Sequence, residues 1–342
     1  MVKILYGVSS IGFGHAARSA AIGLKLRERG LEPVFATGGN VVQFLESYGF
    51  KVRDIVAEPT PWERNGEMRY PALWYARYWF GYRSTKRRME SLIDELRPEI
   101  ITGDEEFSCI SVAIERQISH AMISDELELG FARGRLSRYV EKRVGAWYTD
   151  LQHRTSSLLV PDFGEDYENV HFMSPAVRAV TRSREQVMTD LGMGPGAQMI
   201  LYSASGSGIG GFIFDRLIRA IEMLSPPGVV LVVTGLSEGP ARPWVRYLGV
   251  QRDNQDFIAS ADLVVSTAGK STIDEAASYG SPLIAIPIKN HSEQEKNAAA
   301  LGFSSEDLYR LDQLVPRYLG RRTRPLNYHG ADSIAGYLQG LL

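Results

Sequence analysis

An α/β fold made of two successive rounds of strand–loop–helix units is what this sequence predicts, and three observations predict it. Apolar runs of strand length recur along the chain, separated by segments of helical periodicity. Three of these runs lead into glycine-bearing loops that open a helix, at Gly12–Gly14, Gly206–Gly211 and Gly269. The length of 342 residues gives room for two domains of ordinary size.

The first strand is Val2–Val8, and the helix after it runs to about Arg29 and stops at Gly30, a suitable C-terminal glycine. Gly12-x-Gly14-x-x-Ala17 satisfies the dinucleotide fingerprint literally, but that fingerprint also asks for an acidic residue after the second strand. The second strand, Pro33–Thr37, ends in Thr37-Gly38-Gly39-Asn40 instead, which argues against a nicotinamide or flavin cofactor. His15 stands where the loop becomes the helix, so its imidazole can face a ligand beside free backbone N–H groups, or can simply be a helix-entry residue. A helix near Val41–Tyr48 and a strand near Lys51–Val56 continue the alternation.

Residues Met68–Met89 have the oddest composition in the chain: no acid, six basic residues, and Trp74, Tyr75, Tyr78, Trp79, Phe80 and Tyr82. At helical spacing Trp74, Tyr78 and Tyr82 share a face, with Arg77, Lys86, Arg87 and Arg88 close by. Rings beside a basic cluster suit an anionic bilayer interface or a lipid-phosphate acceptor; they suit equally a large helix packing its rings into a core. Strands at Glu99–Thr102 and Met122–Ser124 deliver Gly103-Asp104-Glu105-Glu106 and Asp125-Glu126 at their carboxyl ends. A carboxylate there can deprotonate a hydroxyl if burial raises its pKa, and Asp104 is the first choice.

A helical stretch near Gly130–His153 and a strand at Ser157–Val160 complete the first domain, residues 1–160. Pro161–Tyr167 is turn-rich and opens the connection, and Val170–Met173 begins the second alternation. Met199–Ser205 is its next strand, followed by Gly206-Ser207-Gly208-Ile209-Gly210-Gly211, four glycines in six positions before a helix. Backbone N–H groups at such a start bind phosphate without side chains. Val229–Thr234 is a further buried strand. Leu263–Thr267 then runs into Ala268-Gly269-Lys270, with a helix predicted from Ser271 because Ser271-x-x-Asp274 and Thr272-x-x-Glu275 read as capping boxes. Leu283–Ile288 follows, and a helix capped at Ser292 with Glu295 three residues on. The second domain is residues 161–324, and 325–342 form a last helix.

Composition narrows the function. A 44% hydrophobic, 23% charged chain of net charge −2 has no general drive toward nucleic acid. One cysteine, Cys109, excludes an internal disulfide framework and fits a reducing cytosol. No signal peptide or membrane span is apparent, so the expected location is cytoplasmic, with any membrane contact peripheral at the inner face. Gly269-Lys270-Ser271 ends like a P-loop, but the earlier glycine that motif needs falls on Val264. There is no Asp-x-Asp triplet and no His/Cys cluster at metal-ligand spacing, so chemistry without a metal or other cofactor is expected.

Gly269-x-x-Thr272-x-x-Glu275, followed by Glu293-Gln294-x-x-Asn297-Ala298, resembles the donor-nucleotide signature of GT-B glycosyltransferases, closest to the MurG-like branch that uses UDP-sugars. Gly14-His15-x-x-Arg18 is similar to the glycine-rich first loop of that branch, and the 206–211 loop to its Gly-Gly-Ser-type loop. The resemblance covers the chain in outline, with specific motifs at 12–18, 203–211 and 266–298. It implies two Rossmann-like α/β domains facing across a cleft, an N-terminal acceptor domain, a C-terminal donor-nucleotide domain, and a final helix crossing back to the first.

It also implies inverting, metal-independent transfer from a UDP-sugar to an acceptor hydroxyl or lipid-linked acceptor, with His15 or Asp104 as base. Gly14, Arg18, Ser205, Gly206, Ser207, Gly208, Gly269, Lys270, Ser271 and Thr272 would hold the diphosphate and Glu275 the ribose. Gln251 and Arg252 would lie near the uracil, and His291, Glu293 and Gln294 would read the sugar. Trp74, Tyr78, Trp79, Arg83, Arg87 and Arg88 would meet the acceptor or membrane. MurG carries glutamine where this chain has Glu293, which leaves the sugar open among N-acetylglucosamine, glucose and similar hexoses. Two other readings use the same donor site: a nucleotide-sugar hydrolase in which His15 activates water, and a non-catalytic UDP-sugar-binding subunit.

Overall fold

The computed structural model describes residues 3–56, 58–64, 66–125, 135–204 and 211–342, and they form two compact units. The first comprises residues 1–62, 70–178 and 328–342; the second comprises 63–69 and 179–327. The chain therefore passes between units at 178/179 and 327/328, later than the 160/161 and 324/325 expected. It also makes an excursion at 63–69 that the apolar periodicity did not suggest.

Unit 1 begins with β1 (Ile4–Val8), α1 (Gly14–Glu28), β2 (Val34–Thr37), α2 (Asn40–Glu46) and β3 (Lys51–Asp54). A hairpin of β4 (Trp62–Arg64) and β5 (Glu67–Arg69) leads into α3 (Pro71–Leu96). Then come β6 (Ile100–Asp104), α4 (Phe107–Arg116), β7 (Ser119–Ile123), α5 (Arg135–Arg154), β8 (Leu158–Val160) and β9 (Val170–Phe172). Seven of these strands pair in parallel in the order β3-β2-β1-β6-β7-β8-β9. Val170–Met173 was expected to open the second domain; it is instead the last strand of the first sheet, because Leu158, Leu159 and Val160 pair with Val170, His171 and Phe172.

Parallel strands covered on both faces read as unbroken apolar runs, and β1 shows why. Ile4, Tyr6 and Val8 enter one core with α1 and α2, while Leu5 enters the other with Met89, Ile110 and Tyr148 of α3, α4 and α5.

Unit 2 contains α6 (Arg184–Asp190), β10 (Gln198–Ser203), α7 (Gly211–Leu224), β11 (Val229–Thr234), β12 (Val245–Gly249), α8 (Asn254–Ser260), β13 (Leu263–Ser266), α9 (Lys270–Tyr279), β14 (Leu283–Ala285), α10 (Ser292–Ala300) and α11 (Leu311–Tyr318). Its parallel sheet runs β12-β11-β10-β13-β14. Again alternate residues feed two cores: Ile200 and Tyr202 pack with α7 and α11, and Met199 and Leu201 with α6, α8 and α9.

The last helix, α12 (Gly330–Gly340), belongs to unit 1 and packs on α1 through Ile334, Ala335 and Leu338. Arg29 ties the two helices by an ion pair to Asp332 at 3.0 Å. Tyr337 adds a hydroxyl contact of 2.7 Å to Ser157.

Candidate active site

In each sheet the strand order reverses beside the first strand, between β1 and β6 in unit 1 and between β10 and β13 in unit 2. Loops at the carboxyl ends of strands diverge at such switch points, which is where open α/β sheets bind ligands.

At the switch point of unit 1, β6 ends on Asp104, whose carbonyl accepts from Ser9 N–H at 3.0 Å. The Asp104 side chain has no solvent exposure and is saturated with donors. Oδ2 accepts from Arg18 Nε and Ser19 Oγ, both at 2.9 Å; Oδ1 accepts from Arg18 Nη2 at 2.5 Å and lies 3.2 Å from His15 Nδ1. These donors come from the first turns of α1, so three residues of one helix converge on one carboxylate. Burial opposes its charge, but Arg18 and His15 outweigh burial and hold the Asp104 carboxyl far below its ordinary range.

His15 is 27% exposed and so can meet both Asp104 and a ligand. Its Nδ1 also lies 3.1 Å from Arg18 Nη2. A single nitrogen cannot donate to the carboxylate and accept from the guanidinium together. Burial and Arg18 push the imidazole toward neutrality, yet the bond and charge of Asp104 prevail and raise it to about 9. Nδ1 therefore carries a proton directed at Asp104, leaving Nε2 for a ligand.

Arg18, expected as a phosphate ligand, spends its guanidinium on Asp104 and, through Nη1 at 2.9 Å, on Asp125. Arg18 overcomes the burial of Asp125 and keeps that carboxyl below its usual range.

The three acids that end β6 have separate tasks. Asp104 meets His15. Glu105 sits in the left-handed region at φ 52° and accepts from Ser124 Oγ at 2.5 Å, which lies 2.6 Å from Tyr148 Oη. Burial and then Asp125 push Glu105 up to about 8. Glu106 caps α4, accepting from Ser108 N–H and Cys109 N–H. A residue that sequence reasoning passed over, Glu58, clasps the loop after β1. Its Oε2 accepts from Ser9 Oγ at 2.8 Å and Ser10 N–H at 2.6 Å, and burial, aided by Glu106, raises it to about 7. It lies in an irregular Pro-rich loop with no motif around it, so no sequence signal pointed to it.

In unit 2, residues 205–210 lie outside the described residues, so Ser205, Gly206, Ser207 and Gly208 have no structural account. Helix α9 begins at Lys270 with Gly269 as its cap, not at a capped Ser271. The helix start lies ahead of the capping boxes expected there, and Asp274 accepts from Lys270 Nζ at 2.7 and 2.9 Å. Ser271 and Thr272 thus occupy the first turn, and Glu275 is buried one turn on. Helix α10 likewise begins at Ser292 with His291 as its cap residue, and Glu295 accepts from Asn290 N–H at 3.0 Å instead of serving a box.

The structure brings the 269–275 and 293–298 segments together: Asn297 Nδ2 donates to Ala268 O at 3.2 Å, next to Gly269. Glu293 stays half-buried beside Asn297, while Gln294 turns inward and accepts from Ile288 N–H at 3.1 Å. Burial lowers His291 to about 4, so its imidazole is neutral. Gln251 bonds back to Leu248 O, and exposed Arg252 pairs with its neighbour Asp253.

Four rings of α3, those of Trp74, Tyr78, Trp79 and Tyr82, face inward. Trp74 donates from Nε1 to Pro59 O at 2.7 Å, Tyr78 reaches Glu58, and Trp79 and Tyr82 cluster with Trp147 of α5. Arg83 stacks its guanidinium on Trp79 and, like Arg87 and Arg88, is exposed; Leu73 and Phe80 project on the same solvent side. No described helix is long and apolar enough to cross a membrane.

Residues 232–327 match the glycosyltransferase family 28 C-terminal domain. An uncharacterized glycosyltransferase of Methanosarcina acetivorans is 25% identical over 88% of this chain and 83% of its own length. A UDP-N-acetylglucosamine–N-acetylmuramyl-(pentapeptide) pyrophosphoryl-undecaprenol N-acetylglucosamine transferase of Halalkalibacterium halodurans is 25% identical over 64% of this chain and 62% of its own. Among solved structures, the glycotransferase of kitacinnamycin shares the fold over the full length of both chains, with a TM-score of 0.65 at 15% identity.

Proposed function

We infer, from the premise that this chain is a glycosyltransferase of the family 28 type on a GT-B fold, that it moves a sugar from a UDP-sugar to a hydroxyl with inversion and without a metal. The observation that carries this reading is the pairing of half-buried His15 with fully buried Asp104 at a sheet switch point.

A hydroxyl must lose its proton as it attacks the anomeric carbon, and an imidazole is suited to take it. With Nδ1–H held by Asp104, the basic atom is Nε2. Asp104 is the orienting partner: a carboxylate has about four acceptor positions, and Arg18 Nε, Arg18 Nη2, Ser19 Oγ and His15 Nδ1 use them. The same saturation disfavours Asp104 as a covalent nucleophile, which supports a single displacement and hence inversion. Arg18 then acts by fixing Asp104, not by binding phosphate.

The leaving diphosphate would be held by N–H groups at the start of α9, around Lys270–Thr272, and by the 206–211 loop. That arrangement supplies the charge stabilisation a metal supplies elsewhere, and the chain has no Asp-x-Asp triplet to hold one. Glu275 would accept from the ribose hydroxyls, and Glu293 with the 291–294 segment would read the sugar. The bacterial relative named above uses UDP-N-acetylglucosamine and an undecaprenol-linked acceptor by its name. We extend to this chain a UDP-sugar donor and a lipid-linked acceptor. The exposed Leu73, Phe80, Arg83, Arg87 and Arg88 face of α3 favours that acceptor over water, the substrate of a hydrolase, and over a purely soluble one.

The test is UDP release from a panel of UDP-sugars by purified protein, with and without a lipid extract, and with EDTA throughout a parallel plate. Release that needs the extract and survives EDTA supports the reading. Release at full rate without any acceptor would make the protein a hydrolase, and loss in EDTA that added metal restores would overturn the metal-free mechanism.

A further inference from the structure

Residues 63–69 leave unit 1 and return to it within seven residues, and what they touch in unit 2 is the segment that precedes α10. Met68 N–H donates to Lys289 O at 3.0 Å, and Lys289 N–H donates to Gly66 O at 2.7 Å, so the hairpin pairs with residue 289 as a strand would. Gly66 turns at φ 76°, and a Cβ there would meet the Phe212 ring at 2.9 Å, so Gly66 lies against the first turn of α7. The contact is built for glycine and tolerates little else.

The side chains continue this pairing. Glu67 Oε1 accepts from Asn290 Nδ2 at 2.8 Å, and its Oε2 pairs with Arg69 at 3.2 Å. Asn290 is in the left-handed region, φ 66°, which asparagine adopts more readily than most residues. A carboxylate only accepts, so it dictates which end of the Asn290 amide faces it. The nitrogen turns to Glu67 and the oxygen turns away. That oxygen, Oδ1, is buried and has no hydrogen-bond partner among the described residues. A buried acceptor left unmet costs about 1–3 kcal/mol, so the arrangement is suited to a ligand that brings an O–H or N–H.

We propose that the 63–69 hairpin is part of the donor-sugar site, with Asn290 Oδ1 accepting from a hydroxyl or amide N–H of the sugar and Glu67 positioning the Asn290 amide for it. This rests on the reading of residues 291–294 as the sugar-reading segment. Glu67 touches no substrate; it acts through Asn290. The role differs from structural support, because the amide orientation matters only to the sugar and not to the nucleotide.

The experiment compares equilibrium binding of UDP, UDP-glucose and UDP-N-acetylglucosamine to the full chain and to Glu67→Ala, Glu67→Gln, Asn290→Ala, the Glu67→Ala/Asn290→Ala double variant, and Glu293→Ala. The expected result for Glu67→Ala and for Asn290→Ala is UDP affinity within about twofold of wild type and about tenfold weaker binding of the preferred UDP-sugar, the worth of one hydrogen bond. Glu67→Gln keeps an acceptor oxygen for the amide and recovers most of the loss. The double variant binds no worse than either single one, since both remove the same contact.

Equal weakening of UDP and UDP-sugar, or additive losses in the double variant, would reduce the hairpin to a structural prop. A Glu293→Ala variant that loses sugar affinity while the Glu67 and Asn290 variants do not would overturn this proposal and leave the donor reading intact. Failure of wild type to bind UDP or either UDP-sugar would overturn both.

Discussion

Replacing Asp104 by Asn removes one negative charge from the centre of unit 1 with almost no change in shape, and its consequence for His15 can be worked out. His15 stands at about 9 because the bond to Asp104 and its charge overcome burial and Arg18, both of which push the imidazole down. Without the carboxylate the downward influences remain, countered by the other acids near the imidazole, Asp125, Glu105 and Glu58. The imidazole should then fall toward its ordinary 6.5, a shift of up to about 2.5 from 9 minus 6.5. At about 1.4 kcal/mol per pKa unit, that is about 3 kcal/mol of imidazolium stabilisation lost.

His15 is raised in the folded state, so the stability it contributes is complete below pH 6.5 and disappears as pH rises through about 9. Asp104 is depressed, so its contribution holds above its unfolded 3.8 and disappears as the solution is acidified past its folded value. Asp104→Asn should abolish both slopes. It should also destabilise the fold by about 3–5 kcal/mol, since it breaks a buried pair with Arg18, which keeps only Asp125.

The assay is NMR titration of the six histidines with 13C-labelled imidazole, His15 being assigned by its loss in His15→Gln. Alongside it, kcat/KM is measured from pH 5 to 10. In the wild type, kcat/KM should rise with pH through about 9, because the free enzyme must shed the Nε2 proton to act as a base. In Asp104→Asn the inflection should move below 7 while the plateau falls by roughly 10²–10⁴-fold, orientation being lost with the charge. A His15 that still titrates near 9 in the variant would refute the assigned cause of the shift. A wild-type kcat/KM that falls through 9 would refute the base role and make the imidazolium an acid or a diphosphate clamp.

Three other outcomes follow from the same geometry. Glu105 is raised to about 8, so the wild-type protein loses stability as pH climbs from 4.5, where the unfolded carboxyl ionises, toward 8, where the folded one does. Glu105→Gln keeps the Ser124 contact and should show a flatter pH–stability curve in chemical unfolding; parallel curves would show that Glu105 is ionised in the fold. Arg83, Arg87 and Arg88 changed together to Ser should abolish flotation with vesicles containing anionic lipid while leaving UDP affinity within about twofold, each charge near such a surface being worth about 1 kcal/mol. Retained flotation would remove the basic face of α3 from the acceptor reading. Glu275→Ala should weaken UDP by about 10–100-fold with little change in affinity for inorganic pyrophosphate, because only the ribose contact is lost; equal weakening of both would place Glu275 elsewhere.

Much of the fold was legible because parallel strands covered on two faces are written as continuous apolar runs. Val229–Thr234 lies where the sequence put it, and Gly30 ends α1's turn at φ 75° as a C-terminal glycine should. The edge strand β12 and the β4–β5 hairpin were not legible, since Val-Arg-Tyr-Leu-Gly, Trp-Glu-Arg and Glu-Met-Arg are broken by charged residues and form no apolar run. The hairpin did carry a signal of another kind: Asn65-Gly66 between Trp62–Arg64 and Glu67–Arg69 is the dipeptide of a two-residue turn. Its pairing with Lys289, more than 200 positions away, carried none.

The capping boxes at Ser271 and Ser292 failed for a related reason. Asp274 and Glu295 satisfy the local pattern, but each helix starts earlier than its box needs, and the acids pair instead with a lysine ammonium in one case and Asn290 N–H in the other.

By itself the sequence determined the alternation of elements, the loops at strand ends, and the residue types of the donor segment, because these depend on neighbours within a turn or a strand. It also put His15, Arg18 and Asp104 at the ends of elements from which they can meet a ligand. Which of them meets which was decided by tertiary structure alone. Parallel pairing of β1 with β6 sets Val8 against Asp104, and only then does the first turn of α1 close over that carboxylate. The protonation of His15 and the diversion of Arg18 from phosphate to carboxylate both follow from that closure. Charge and desolvation act through space, and the spacing of residues along a chain holds no record of the distances they act across.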